Sequence, residues 1–185
     1  VPARDYLNLS RRQLLDCMRA GHPIDPAALD DFEYRGVSLG LPTLVERLSW
    51  KTFKKAFHRD PATGRLRGWN VRLEQNGLDG ACVPMMKHGQ PVTFGHFSVE
   101  PAARYRVPEQ VGLGLVLDYG LGGNRRREGT YFVRDPVVAV TAGSVDLLLG
   151  WTYLDLPLAP VGTPSFFTLE RDCPLTHVHS PPRAP

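Results

Sequence analysis

Trp50-Lys-Thr-Phe-Lys-Lys-Ala-Phe-His58, Arg59-Asp-Pro-Ala-Thr-Gly64 and Arg65-Leu-Arg-Gly-Trp-Asn-Val-Arg-Leu-Glu74 run on from one another and read as strand, turn and strand. Pro61 presets φ and Gly64 supplies a positive-φ position, so the middle segment is a hairpin turn. In the second arm Trp69, Val71 and Leu73 alternate with Asn70, Arg72 and Glu74, the two-residue period of a half-buried strand. Downstream, short strands are predicted at Val92–Val99, Leu113–Tyr119, Thr130–Arg134, Val137–Thr141, Asp146–Asp155 and Ser165–Glu170, most of them separated by Gly- or Pro-rich breaks. About eight antiparallel strands in a short chain leave unpaired edges, and closing the sheet removes them. The expected fold class is therefore mainly β: an antiparallel barrel of about eight strands, wide enough inside for side chains or one small ligand.

Upstream of the hairpin the periodicity is helical. Ser10-Arg-Arg-Gln13 has the form of a capping box, followed by Leu14, Leu15 and Met18 on one face and by Gly21 and Pro23 as stop signals. Asp25-Pro26 opens a short turn of helix through Leu29, and a further short helix is predicted from Pro42 to Leu48. These helices are expected to plug or flank one barrel mouth. The expected organisation is a helical segment at 1–31, the barrel at 32–171, and a loosely attached tail at 172–185 with four prolines.

Composition bounds the function. The chain has 185 residues, 42% of them hydrophobic and 22% charged, which suits one domain with a real core. Its 18 glycines and 17 prolines, in no fixed period, argue against long helices. A net charge of +3 implies no nucleic-acid footprint. No apolar run is long enough for a membrane span. Cys17, Cys82 and Cys173 are odd in number and lack C-x-x-C spacing, so neither a disulfide framework nor a structural zinc site is expected. No charged-then-apolar leader is visible and the expected compartment is the cytoplasm; a leader removed before Val1 stays open.

Several short motifs carry chemistry. Gly36-Val-Ser38-Leu-Gly40 spells the nucleophile-elbow pattern, but it lacks the preceding parallel α/β sheet, so Ser38 reads better as part of a Gly-kinked first strand. His96, in Phe94-Gly-His-Phe97, is a candidate to point into the barrel, although a satisfied or rim-exposed histidine is the leading reading. Asp118 and Asp135 each end an apolar strand; inside a barrel they would serve as acid or base, although a turn-forming role leads for both. Lys51 and Asn70 are candidate polarising groups. Arg125, Arg126 and Arg127 read as a solvated loop run; His177 and His179 could pair on a metal, but they lie in the Pro-rich tail without a third ligand and read better as part of a solvated tail. Among the strand aromatics, Trp69, Phe94, Tyr119, Trp151 and Tyr153 are candidates to line a cavity, with Trp151, Tyr153 and Asp155 on one strand face.

From Gly36 on, the chain resembles an uncharacterised bacterial family named for a G-x-W-x-G motif. Gly36-x-Ser38-x-Gly40 would correspond to that motif, with Ser in place of Trp. Lys51-Thr-Phe53 is similar to its Gly-Lys-x-Phe segment, with Trp50 in place of Gly. Asp135-Pro-Val-Val138 looks like its Pro-Ile-Ile-Asp region, with Ala139 where the acid would be. Asp146-Leu-Leu-Leu-Gly150 and Phe166-Phe-Thr-Leu-Glu-Arg171 resemble its closing strands. The resemblance spans Phe32 to Arg171 and implies a lipocalin-like barrel, with no settled activity.

The function expected from these readings is binding of a small apolar or lipid-like molecule in the barrel cavity, through Lys51, Trp69, Asn70, Phe94, Tyr119, Trp151 and Tyr153. Replacing Trp151 with Ala would then weaken a ligand more than the fold. The alternative is a cavity enzyme of isomerase, cyclase or hydratase type using His96, Asp118 and Asp135. Serine hydrolysis at Ser38 ranks third. No cofactor or metal is implied. The implied partner is a small apolar molecule, with no nucleic acid and no membrane span; a homodimer is left open.

Overall fold

In a computed structural model, residues 2–40, 51–111 and 114–182 are described. The strands are β1 (Phe32–Leu39), β2 (Thr52–Arg59), β3 (Leu66–Arg72), β4 (Met86–Lys87), β5 (Gln90–Pro91), β6 (Thr93–Pro101), β7 (Leu115–Asp118), β8 (Val133–Ala139), β9 (Leu147–Asp155) and β10 (Pro160–Pro174). Eight of them close into an antiparallel barrel in the order β1-β10-β9-β8-β7-β6-β3-β2, while β4 and β5 pair only with each other. The Arg59–Gly64 turn joins β2 to β3, with Asp60 accepting from the Ala62 and Thr63 N–H groups.

Two sequence expectations shift within this barrel. The strands expected at Thr130–Arg134 and Val137–Thr141 are a single strand, β8, preceded by a 3-10 turn at Gly129–Phe132. Asp135-Pro136 does not start a turn. The prolyl nitrogen has no hydrogen to donate, and the pairing of β8 with β9 lapses between Arg134–Tyr153 and Val137–Gly150 to accommodate it. The strand count is restored by β1, whose Gly36 and Ser38 lie in the ladder between β2 and β10. Ser38 is thus a strand residue with no elbow. The predicted helix Pro42–Leu48 lies outside the described residues, as does Leu113.

Alternation along each strand divides the core into two layers. Tyr34, Phe57, Phe97, Leu117, Val137, Leu148 and Leu169 point inward and form the barrel's interior. Val138, Leu149, Trp151, Tyr153 and Phe166 form an outer layer covered by α1 (Arg11–Arg19), which contributes Leu14, Leu15 and Met18. The capping box forms: the Ser10 N–H donates to Gln13 Oε1 at 2.9 Å and the Gln13 N–H to Ser10 Oγ at 3.4 Å. α1 therefore flanks the wall instead of a mouth. One end of the interior is plugged by Ile24 and by Leu29, which ends the short 3-10 turn Pro26–Leu29.

The expected boundary at Arg171 falls inside β10. Beyond it the tail is held against the barrel: the Leu175 N–H donates to Asp31 O at 2.8 Å, Thr176 Oγ1 to Glu33 Oε1 at 2.7 Å and Arg67 Nη1 to His179 O at 2.8 Å. No described helix is long and apolar enough to cross a membrane.

Candidate functional site

At the end of the barrel opposite Leu29, the strands surround a cavity of about 260 Å³. Phe53, Phe94, Val133 and Phe167 give it apolar walls, and Ser38, Thr130 and Ser165 add hydroxyl groups. Its floor is polar. Lys55, the central inward residue of β2, donates from Nζ to Asn70 Oδ1 at 2.8 Å, to Tyr119 Oη at 2.5 Å and to Asp135 Oδ2 at 3.2 Å. The Tyr119 hydroxyl donates to the same Asp135 oxygen at 2.8 Å, and Thr152 Oγ1 donates to the other at 2.8 Å. Asn70 Nδ2 is anchored on Gly95 O at 3.0 Å.

This cluster lies among aromatic rings. Lys55 Nζ is 5.0–5.5 Å from the ring centroids of Phe53, Phe97, Tyr119 and Phe167, within range of cation–π attraction. Two glycines make room for that cage. A Cβ on Gly36 would stand 2.3 Å from the Phe53 ring, and one on Gly150 would stand 2.2 Å from the Phe167 ring. Burial pushes the Lys55 ammonium below its ordinary pKa, and the Asp135 charge pulls the other way. Burial also pushes the Tyr119 phenol well up, reinforced by the Asp135 charge. The site therefore holds a lysine that deprotonates more readily than usual and a tyrosine that keeps its proton.

No protein-family model, curated protein or solved structure matches the chain. Its chemistry is therefore read from this geometry alone.

Of the residues singled out in the sequence, Asn70, Phe94, Tyr119 and Asp135 meet at the cavity, and Ser38 lies on its wall. The others do not. Lys51 precedes β2 and is not part of the cavity lining; its backbone N–H donates to Gln75 Oε1 at 2.9 Å. The lysine on the floor is Lys55, which shares a strand face with Phe53 and Phe57. A cation flanked at two-residue spacing by two phenylalanines was the available signal.

His96 points outward because β6 carries an irregularity. Gly68 pairs with Phe97 but Asn70 with Phe94, so two inward residues stand three apart and His96 is turned to the outer face. There it packs beside Trp69, with ring centroids 5.9 Å apart, under the tail. Trp69 belongs to that outer cluster with Ala56, Val71 and Leu175, not to the cavity. Burial, then the charges of Arg67 and His179, push His96 down to about 4.

Asp118 also faces outward. It caps the 3-10 turn Tyr119–Leu121 through the N–H groups of Gly120 (2.7 Å) and Leu121 (3.2 Å), accepts from Tyr105 Oη at 2.7 Å and pairs with Arg134 at 3.1 Å. Trp151 and Tyr153 are in the outer layer beneath α1, and Trp151 Nε1 donates to Thr163 O at 2.7 Å. The inward residues of β9 are Leu148, Gly150 and Thr152, the opposite face from the one expected. Among the described residues, no three His, Cys, Asp or Glu side chains gather as a metal site.

Proposed function

We propose that the barrel binds one small, mainly apolar molecule, its polar group turned toward the Lys55–Tyr119–Asp135 floor and its body against Phe53, Phe94 and Phe167. The observation that carries this reading is the union, in one open-ended cavity, of phenylalanine walls with a floor whose polar atoms are already mutually bonded. Such a floor presents no unpartnered charge, so an apolar body can enter without stripping water from an isolated ion. The volume, about 260 Å³, lies just below the ~300–1,000 Å³ of drug-sized sites, which favours a small occupant over a haem or a long lipid.

The test is native mass spectrometry of protein from its own host, with identification of whatever denaturation releases, followed by titration of that molecule into wild type and Phe94→Ala. Stoichiometric retention and a binding loss of about tenfold in the variant are expected. Undiminished binding by the variant would move the ligand out of the cavity.

A second reading, a cavity enzyme using acid–base chemistry, is favoured by one observation: Thr152, Asp135, Tyr119 and Lys55 form a continuous hydrogen-bonded chain that opens on the cavity. Its residues differ from the sequence expectation, with Lys55 and Tyr119 in place of His96 and Asp118.

A further inference from the structure

We infer that Lys55 Nζ forms a reversible covalent imine with an aldehyde or ketone whose apolar body fills the cavity; the inference rests on reading the barrel as a binding cavity.

The choice of cation carries weight. The chain has 18 arginines and only four lysines, Lys51, Lys54, Lys55 and Lys87. Lys54 is on the outer wall between Glu33 (2.9 Å) and Asp172 (2.7 Å), and Lys87 is exposed on the β4–β5 hairpin. A permanent strut to Asp135 would be served better by arginine, whose guanidinium keeps its charge and grips a carboxylate with two donors. Lysine is the cation that can surrender its proton when buried, and burial lowers the proton affinity of Lys55. The amine also faces the cavity, since Lys55 lines it, while the rings of Phe53, Phe97, Tyr119 and Phe167 keep bulk water away. Exclusion of water favours a condensation that releases water.

The proton traffic has a built route. Asp135 Oδ2, 3.2 Å from Nζ, takes the ammonium proton. The freed lone pair adds to the carbonyl carbon as the C=O π pair moves to oxygen. One proton from nitrogen and one returned by Asp135 through Tyr119 carry that oxygen off as water while the C=N bond forms. Ammonium plus carbonyl compound thus gives iminium plus water, with the positive charge still opposite Asp135 and no oxidant or reductant consumed.

The experiment treats the full-length protein with 2-naphthaldehyde and sodium cyanoborohydride, and maps the reduced adduct by peptide mass spectrometry. Binding of 2-naphthylmethanol, which has the same body but no carbonyl, is measured in parallel. The expected result is one naphthylmethyl group on Lys55, added about tenfold faster than on Lys54 or Lys87, slowed by excess alcohol and absent in Lys55→Arg. If the alcohol binds but Lys55 is labelled no faster than the other lysines, the imine is overturned and the binding cavity stands. If neither compound binds, the cavity reading fails as well. The wild-type map decides the matter even where Lys55→Arg does not fold.

Discussion

Lys55 and Asp135 face each other across the barrel interior, 3.2 Å apart, with the Tyr119 hydroxyl bonded to both. Their strands, β2 and β8, are four positions apart in the eight-strand ring, so the pair is a strut across its diameter. Its side chains are 3% and 4% exposed, which makes it a buried ion pair whose desolvation is offset only by its full set of bonds.

Breaking that strut on one side should be expensive. Asp135→Leu leaves the Lys55 ammonium without its counter-charge, and Lys55→Met does the same to the carboxylate. Each is expected to lower the unfolding free energy by about 3–5 kcal/mol. The double variant should lose much less than the sum, because no lone buried charge remains. Urea denaturation of the four proteins measures the coupling; strictly additive losses would show that the two groups do not act as a pair.

The glycines opposite the aromatic cage make a second prediction. Gly150→Ala puts a methyl group 2.2 Å from the Phe167 ring, and that ring must move or the backbone must shift. A loss of about 1–3 kcal/mol is expected from such overpacking. Combining Gly150→Ala with Phe167→Leu should recover part of it, since the shorter side chain vacates the place the methyl group needs. Thermal unfolding of single and double variants distinguishes this local clash from a general loss of strand flexibility, which the second substitution would not relieve.

What the sequence discloses about this fold follows from period and turn chemistry. The Arg59–Gly64 turn and the alternation around Trp69 are local signals, and the structure forms both. Which face of each strand looks inward is not local. β9 carries Leu147, Leu149, Trp151 and Tyr153 on one face and Leu148, Gly150 and Thr152 on the other, so the bulkier, more aromatic face reads as the ligand side. In fact α1 covers it, and the interior takes Gly150 because Phe167 must cross there. The outward turn of His96 depends on the register of β6 against β3, which only the folded pairing reveals. Asn70, Tyr119 and Asp135 are legible as polar residues on or at the end of strands; Lys55, between Phe53 and Phe57 on the inward face of β2, holds the place that the sequence reading gives to Lys51, which precedes the strand.

Trp151 shows how that reversal changes an experimental outcome. The sequence places it in the cavity, where truncation weakens a ligand more than the fold. In the structure it is fully buried between α1 and the barrel wall, 6.0 Å from the Phe166 ring centroid. Trp151→Ala should therefore cost about 3–5 kcal/mol of stability, with the folded fraction binding ligand at nearly wild-type affinity. Denaturant midpoints and ligand titrations on the same samples test both halves.

Acid should loosen the tail before it reaches the cavity. His96 titrates near 4 in the folded protein against an ordinary 6.5, chiefly because burial beside Trp69 penalises its charged form. The unfolded chain therefore binds more protons than the folded one between those values, and stability falls as pH drops from 6.5 toward 4. By pH 5 the loss from this residue is about 2 kcal/mol. His179, also lowered by burial, adds in the same direction. Glu33 acts in a lower window. Burial alone would raise its pKa, but Lys54 and Thr176 together hold it below 4.5, so its contribution is lost only as pH falls past that value. Urea unfolding at pH 7 and pH 5 should show the drop in wild type and a smaller one in His96→Leu, which cannot take up the proton. Removing residues 177–182 should let water reach the imidazole and bring its pKa back toward 6.5, which proton NMR of the ring reads directly. An imidazole titrating near 6.5 in the intact protein would mean that the tail does not shield it.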